Sequence, residues 1–156
     1  MINIVLVHPQ IPQNTGNIGR LCVNIDASLH LVQPLGFDIG QKEVKRAGLD
    51  YWNKLDLHVW QNVEQLLETI DTKRSKLFFA TTKTDRNYFD QSISRGDYIF
   101  FGSESSGLPQ SLLQSDPQSC ITIPMGKNGR SLNLSVSVGI IAYEAVRQNI
   151  AHLDWG

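Results

Sequence analysis

The sequence predicts an α/β fold in which helices flank a mostly parallel sheet. Short apolar runs of strand length alternate along the chain with longer segments whose apolar residues recur at helical spacing. Several of these runs are continuously apolar, which is typical of strands buried on both faces of a parallel sheet. We therefore expect parallel strands that are joined by crossover helices.

The chain begins with a strand, a helix and a second strand. Residues 2–7 are apolar except for Asn3, and the helix that follows is expected to be capped by Asn14 or Thr15. Residues 29–33 form the second strand, which Pro34 ends. The helical assignment rests on four apolar residues at i, i+3, i+4 and i+7 spacing, namely Ile18, Leu21, Cys22 and Ile25.

The middle of the chain alternates in the same way. A short helix holds Lys42, Lys45 and Arg46 and is expected to end at Gly48, and residues 55–60 alternate like a strand. The next helix is indicated by an apolar stripe made of Val63, Leu66, Leu67 and Ile70.

The last part of the chain adds three strands and two helices. Residues 76–82, 97–101 and 120–123 are the strands, and a short helix lies near residues 109–114. The final helix is apolar on two faces, so we expect it to be buried on all sides, which in a chain of this size predicts a partner subunit. One face holds Leu134, Val138, Ile141 and Ala145, and the other holds Val136, Ile140, Tyr143 and Val146.

Length and composition limit the class of protein. With 156 residues, 41% hydrophobic and 19% charged, residues 1–156 are expected to form one soluble domain. We find no membrane-length apolar run, no basic leader of a signal peptide and no metal-type spacing of Cys22 and Cys120. These features predict a cytoplasmic protein without metal or membrane partners. The net charge of −1 disfavours a general nucleic-acid coat but allows a local basic patch.

Polar and glycine-rich residues follow several predicted strands. They occupy residues 14–20, 80–82, 102–107 and 123–131. Ligands of open α/β sheets bind beyond the carboxyl ends of the strands, so these segments predict one composite pocket. The chain lacks both the G-x-G-x-x-G fingerprint and the P-loop, which disfavours a conventional dinucleotide or triphosphate site.

Individual charged residues leave two interpretations open. Arg20 is either a solvated helix residue or, with Asn14 and Asn17, a grip for phosphate or ribose. Glu104 alone is a solvated acid or a helix cap. A basic cluster is either a solvated face or a polyanion site, and it comprises Lys73, Arg74, Lys76, Lys83 and Arg86, opposed by Asp85. No ligand spacing relates the histidines, which are His8, His30, His58 and His152.

Three motifs stand in a fixed order along the chain. They are NTGNIGR at residues 14–20, FGSESSGLP at 101–109 and IPM…RSLNLS at 123–135. Together they resemble the three motifs of the SpoU branch of the SPOUT RNA methyltransferases. The stretches VQPLGFD and KRAGLDYW further resemble the small single-domain members that 2'-O-methylate the wobble nucleotide of leucine tRNAs. The similarity runs from residue 1 to residue 148 and leaves no room for a further RNA-binding domain.

This resemblance implies a SPOUT fold with a C-terminal trefoil knot, a homodimer, S-adenosylmethionine as cofactor and the anticodon loop of a tRNA as partner. Arg20 matches the arginine assigned to activate the ribose hydroxyl. The polar residues matched around it are Asn17, Glu104, Ser131 and Asn133. The positions matched to cofactor contacts, largely through backbone groups, are Ala80, Thr81, Gly102, Glu104, Ile123, Met125, Ser131 and Leu132.

The expected chemistry needs alignment and loss of a proton. The methyl group of the cofactor is already activated, so the protein must mainly align the 2'-hydroxyl with it. Arginine is an unusual base because its pKa exceeds about 12. We therefore expect Arg20 to hold the RNA phosphate and lower the pKa of the hydroxyl, which loses its proton to phosphate or water. Val136 stands where the family often carries asparagine, which weakens any role for that amide.

Two alternatives remain open at this point. The chain could methylate a 2'-hydroxyl elsewhere in tRNA or in ribosomal RNA, or it could be a non-catalytic RNA-binding or ribosome-assembly protein. Intact Arg20, Glu104 and Asn133 speak against the non-catalytic alternative, and the small size favours an exposed target such as an anticodon loop. If the final helix packs the dimer beside the cofactor loop, Ile141→Asp is expected to weaken both dimerisation and cofactor binding.

Overall fold

A six-stranded sheet forms the centre of the molecule in a computed structural model that describes residues 1–40, 42–47 and 51–152. The strands are β1 (Asn3–Val7), β2 (Ser28–Val32), β3 (Leu57–Trp60), β4 (Leu77–Ala80), β5 (Tyr98–Phe101) and β6 (Cys120–Ile121). Neighbouring strands all pair in parallel, in the order β3-β2-β1-β5-β4-β6. This confirms the predicted α/β class.

Five α-helices are present in the described residues: α1 (Pro12–Asn24), α2 (Lys42–Ala47), α3 (Val63–Thr69), α4 (Gln110–Ser115) and α5 (Leu134–Asn149). The predicted cap of α1 at Asn14 or Thr15 is wrong. The helix begins at Pro12, whose fixed φ and missing N–H suit a first turn, so both residues lie inside it. The predicted end of α2 at Gly48 falls outside the described residues.

The core lies on both faces of the sheet, as the continuous apolar runs predicted. Along β1, Ile4 and Leu6 face the cluster that contains residues of α1 and α5, whereas Val5 and Val7 face the cluster with α3 and α4. All four side chains are completely buried. The period of two along a strand therefore distributes one apolar run between two layers of helices.

Helix α5 is buried on one face and open on the other within a single chain. Leu134, Val138, Ile141 and Ala145 pack into the core. Val146 also turns to the core, whereas Val136 and Tyr143 are 49% and 50% exposed. The expected burial on all sides is therefore not met by this chain alone.

The substitution Ile141→Asp is the wrong test of dimerisation. Ile141 is completely buried among the chain's own core residues. A carboxylate at that position would be desolvated inside the single subunit, so the substitution would lower the free energy of unfolding whatever the oligomeric state.

The histidines of β2 and β3 stabilise the sheet, away from the polar segments that follow the strands. His30 is buried, accepts a hydrogen bond from Trp60 Nε1 at Nδ1 and donates from Nε2 to Asn3 Oδ1. Burial lowers the pKa of His30 to about 4, so this imidazole is neutral near pH 7. His58 stacks on the His30 ring with 4.7 Å between ring centroids.

Neither cysteine pairs, and both are buried. Burial raises the pKa of the Cys22 thiol to about 12, so it stays protonated and behaves as a small apolar side chain. In the part of the chain that the structure describes, no cluster of three metal-ligating side chains occurs. Nor does any described helix have the length and apolar character needed to cross a membrane.

Candidate cofactor and RNA site

A cleft of about 480 Å³ opens at the carboxyl ends of β4, β5 and β6. It is walled by the segments that follow those strands and by the first turns of α1 and α5, as the sequence predicted for one composite pocket. Predicted strands at residues 76–82 and 120–123 stop early at Ala80 and Ile121, because the residues that follow turn into this cleft. All eight positions matched to cofactor contacts line it: Ala80, Thr81, Gly102, Glu104, Ile123, Met125, Ser131 and Leu132. That they hold a cofactor stays a prediction.

A tight loop after β5 forms one wall of the cleft. Gly107 donates its backbone N–H to the Ser103 carbonyl at 3.0 Å and adopts a left-handed φ of +69°. This fold-back brings the Gly107 backbone against Gly102, where an added Cβ would lie 1.9 Å from the Gly107 carbonyl carbon. Gly102 is therefore required by a close approach of backbone to backbone.

Glu104 ties this loop to the start of α1. One carboxylate oxygen accepts the Gln10 N–H at 2.8 Å, and the other accepts the Ile11 N–H at 3.0 Å. The side chain of Gln10 returns the contact by accepting from the Ser105 N–H at 3.0 Å. The negative charge also lies at the positive end of the α1 dipole, which stabilises both partners. Glu104 thus holds two walls of the cleft together.

Two asparagines extend this connection to α5. Asn14 donates from Nδ2 to Glu104 Oε1 at 3.3 Å, and its Oδ1 accepts from Asn133 Nδ2 at 3.1 Å. Asn133 in turn caps α5, because its Oδ1 accepts the N–H groups of Ser135 and Val136 at 2.9 and 3.3 Å. Asn133 is therefore the N-cap residue of this helix. One chain of hydrogen bonds therefore links the loop after β5, α1 and α5.

Arg20 and Asn17 lie away from the cleft of their own chain. Both are exposed on α1, and neither lines the cavity. Arg20 is six residues beyond Asn14, which corresponds to about 9 Å along a helix axis. The structure brings Glu104 and Asn133 together at the cleft, but within one subunit it does not bring Arg20 or Asn17 to them.

Asn14 has a more central place in the site than the sequence pattern indicated. It was expected as a cap or as a neighbour of Arg20, yet it is buried at the centre of the hydrogen-bond chain. A usable signal exists in the sequence. Asn14 stands four residues before Ile18 and eight before Cys22, so it occupies the core-facing stripe of α1, where an amide needs specific partners.

The basic cluster does not form one binding surface. Arg74 pairs with Asp71 at 3.5 Å, and Lys76 donates to the Ser92 carbonyl at 3.1 Å. Arg86 donates to the side chains of Gln118 and Gln91, which fixes the connection between β4 and β5. Lys83 is the member that lines the cleft. These contacts favour a solvated face over a polyanion site for the cluster, and Lys83 is the exception.

The cleft fits a nucleoside-sized ligand with an apolar part and a charged part. Its volume lies within the roughly 300–1,000 Å³ that is usual for small-molecule sites. The buried Leu108, Leu113 and Ile121 supply apolar surface, and Thr81, Thr82 and Ser131 supply hydroxyl groups. This donor set suits an adenine ring beside a ribose and an amino acid, as in S-adenosylmethionine.

Comparison with known proteins shows similarity over nearly the whole chain. The model of the family described as SpoU rRNA Methylase matches residues 1–143. A tRNA (cytidine(34)-2'-O)-methyltransferase of Aeromonas hydrophila is 44% identical over 149 residues, which cover 95% of this chain and 94% of that protein. A protein of the same name from Burkholderia cenocepacia is 40% identical over 149 residues, covering 95% of this chain and 96% of its own.

Solved structures agree in fold. A structure described as giving insight into the 2-OH methylation of C/U34 on tRNA has a TM-score of 0.92 and 39% identity, with 97% of each chain covered. The SpoU methyltransferase AviRb from Streptomyces viridochromogenes, solved with AdoMet, has a TM-score of 0.86. Its 22% identity, over 96% of this chain and 58% of AviRb, supports the likeness of fold alone.

Proposed function

Because the chain belongs to the SpoU rRNA methylase family, we propose that it transfers a methyl group from S-adenosylmethionine to the 2'-hydroxyl of a tRNA wobble nucleotide. The nucleotide is cytidine or a modified uridine at position 34, the tRNAs are leucine tRNAs, and the reaction takes place in the cytoplasm. The observation that carries the proposal is that all eight positions expected to contact the cofactor line the same cleft. The names of the full-length relatives supply the nucleotide and its position.

The residues of the cleft have separate tasks in this proposal. When bound, S-adenosylmethionine supplies a methyl group that is already activated by a sulfonium. Backbone groups near Thr81, Gly102, Ile123 and Met125 hold the cofactor, and the apolar floor excludes water from it. Glu104 keeps the cleft in shape, because its carboxylate is already occupied by two backbone N–H groups and Asn14. Asn133 orients the start of α5 beside the ligand.

Arg20 holds the RNA in this proposal. A guanidinium stays protonated near pH 7, so it acts on the reaction as a fixed cation with several donors. By contacting the phosphate next to the target ribose, Arg20 aligns the 2'-hydroxyl and lowers its pKa. Asn17, exposed three residues earlier on α1, assists in the contact with RNA.

We propose further that the protein is a homodimer and that Arg20 serves the cleft of the partner subunit. Two observations support this. Arg20 does not line the cleft of its own chain, and α5, whose first turn lines that cleft, leaves Val136 and Tyr143 half exposed. These two residues are seven positions apart and so share one face of the helix, with the half-buried Ile140 between them. An apolar stripe of this kind is suited to self-association.

The substitution Tyr143→Asp is expected to convert the dimer into a monomer that is still folded. Tyr143 is 50% exposed, so the new carboxylate is solvated in the single chain but desolvated in an interface. Sedimentation velocity at micromolar concentration measures the change, and circular dichroism checks the fold. The matched control is Val59→Asp, a variant that should remain dimeric. Val59 lies on the edge strand β3 and is 45% exposed. A dimeric Tyr143→Asp variant would remove α5 from the proposed interface.

We also propose that residues 1–156 form a single SPOUT domain with a C-terminal trefoil knot. The segment at Thr122 supports this, because it lies between two parts of the connection from β4 to β5 and hydrogen-bonds to both. Thr81 donates its N–H to the Ile121 carbonyl on one side, and Thr122 exchanges hydrogen bonds with Arg86 and Tyr88 on the other. The chain then continues to α5, where Gln148 accepts the Ile93 N–H from that connection at 2.8 Å. Such contacts are expected if the C-terminal segment passes through the loop between β4 and β5.

Methylation of unmodified leucine tRNAs tests the proposed function. The purified protein is incubated with methyl-labelled S-adenosylmethionine and either leucine tRNAs, other tRNAs or ribosomal RNA, and nuclease mapping then locates the label. We expect label on the ribose of nucleotide 34. A matched tRNA whose nucleotide 34 already carries a 2'-O-methyl group should accept no label. Label in ribosomal RNA or at another tRNA position would replace the proposed substrate, and the absence of label in every RNA would contradict the function.

A further inference from the structure

The guanidinium of Arg20 lies over an aromatic ring that belongs to a different segment. Its guanidinium carbon lies 5.3 Å from the centroid of the Tyr51 ring. This distance is within the roughly 6 Å over which a cation is attracted to the face of an aromatic ring. Arg20 is otherwise exposed on α1, so the ring covers one side of a side chain that would be free to rotate.

Tyr51 is itself held in place by the turn that follows it. The Lys54 N–H donates to the Tyr51 carbonyl at 2.9 Å and starts the short turn Trp52–Lys54. This turn lies directly on α1 at Gly19. A Cβ at Gly19 would be 3.2 Å from a methyl carbon of Leu55 and 3.3 Å from the Trp52 ring, so the missing side chain lets both pack closely. Leu55 also packs against the core cluster. The backbone that carries the Tyr51 ring is therefore anchored on α1, next to Arg20.

We infer that Tyr51 is a positioning residue that holds the Arg20 guanidinium in the orientation used for RNA. This inference rests on the proposed function, because it assigns Tyr51 a role through Arg20. An exposed arginine loses side-chain conformational entropy when it binds a phosphate. A ring that already holds the guanidinium in place reduces this entropic cost of binding. The ring face is the group required, since it attracts the cation whether or not a hydroxyl is attached.

Two substitutions at this position separate the ring from its hydroxyl. Tyr51→Phe keeps the ring face and should retain kcat within about twofold of the unsubstituted protein. Tyr51→Leu keeps apolar bulk without the ring, and kcat should fall by about three- to tenfold, as expected for loss of one cation–π contact. The KM for S-adenosylmethionine should not change in either variant, because Tyr51 does not line the cleft of its own chain and acts through an arginine that contacts RNA and not the cofactor. In an Arg20→Ala background, Tyr51→Leu should add little, because no cation is left for the ring to hold.

The order of the Arg20 side chain gives a readout that does not depend on activity. In ¹⁵N-labelled protein, the Nε–H signal of Arg20 is assigned by its loss in Arg20→Lys, and its heteronuclear NOE reports motion on the ps–ns timescale. We expect an ordered Nε in the unsubstituted protein and in Tyr51→Phe. In Tyr51→Leu the NOE should fall toward that of Arg74, whose side chain is 87% exposed.

The two arms of the experiment give distinguishable failures. If no RNA is methylated, the proposed function fails, while the NOE still decides whether Tyr51 orders Arg20. If Arg20 is as ordered in Tyr51→Leu as in the unsubstituted protein, or if the effects of Tyr51→Leu and Arg20→Ala on kcat multiply, the inference is overturned. A higher KM for tRNA with an unchanged NOE would also overturn it, since Tyr51 would then contact RNA directly.

Discussion

Replacing Arg20 by alanine is expected to lower kcat for methyl transfer by at least about a hundredfold, in the range usual for removing a group that assists proton loss. The affinity for S-adenosylmethionine should stay within about twofold of the original, because Arg20 does not line the cleft of its own chain and, in the proposed dimer, contacts RNA and not the cofactor. The free energy of unfolding should change by less than about 1 kcal/mol, since only an exposed contact with Tyr51 is lost. Single-turnover kinetics and titration calorimetry measure the two functional quantities.

Two controls give this result its meaning. Arg74→Ala removes another exposed arginine, which precedes β4 at the opposite end of the strand from the cleft, and should leave kcat unchanged. Arg20→Lys keeps the charge but not the planar fork, so it should recover only part of the loss. Unchanged turnover in Arg20→Ala would remove the proposed role of this residue. A parallel loss of cofactor binding would instead indicate that Arg20 supports the cleft.

The substitution Gly102→Ala is expected to abolish measurable cofactor binding and to destabilise the protein. The new Cβ would lie 1.9 Å from the Gly107 carbonyl carbon and 2.0 Å from the Leu108 nitrogen. Both are backbone atoms, so the loop that carries Glu104 must move as a whole. We expect a loss of about 2–4 kcal/mol in the free energy of unfolding, at or above the upper end of the usual cost of overpacking. Calorimetric titration and chemical denaturation measure the two effects.

Gly126→Ala is the matched control for this steric argument. Gly126 also lies in a loop of the same region, but an added Cβ there meets nothing within 4 Å. The free energy of unfolding of Gly126→Ala should therefore differ from that of the unsubstituted protein by less than about 0.5 kcal/mol. If Gly102→Ala were as stable as Gly126→Ala and bound the cofactor normally, the fold-back of the loop onto Gly102 would be contradicted.

The candidate site was predictable from sequence where a backbone pattern defines it. The order of strands and glycine-rich segments predicted that residues after β4, β5 and β6 meet in one cleft, because parallel strands present their carboxyl ends at the same edge of a sheet. The central position of Asn14 was not predicted. Its partners Glu104 and Asn133 are 90 and 119 residues away, and no local rule of spacing links residues so distant.

The sequence by itself determined the class of fold, the layers of the core and the identity of the cleft-forming segments. These follow from apolar periodicity and from turn-forming residues, which act over a few neighbours along the chain. The tertiary structure decided which polar groups meet. It assigned Glu104 to the backbone at the start of α1, turned Ile141 into the core and left Tyr143 half exposed, and it set Arg20 against Tyr51. Such pairings depend on how whole helices and loops pack across the sheet. The partners are far apart along the chain, so the spacing of residues in the sequence does not predict that they meet.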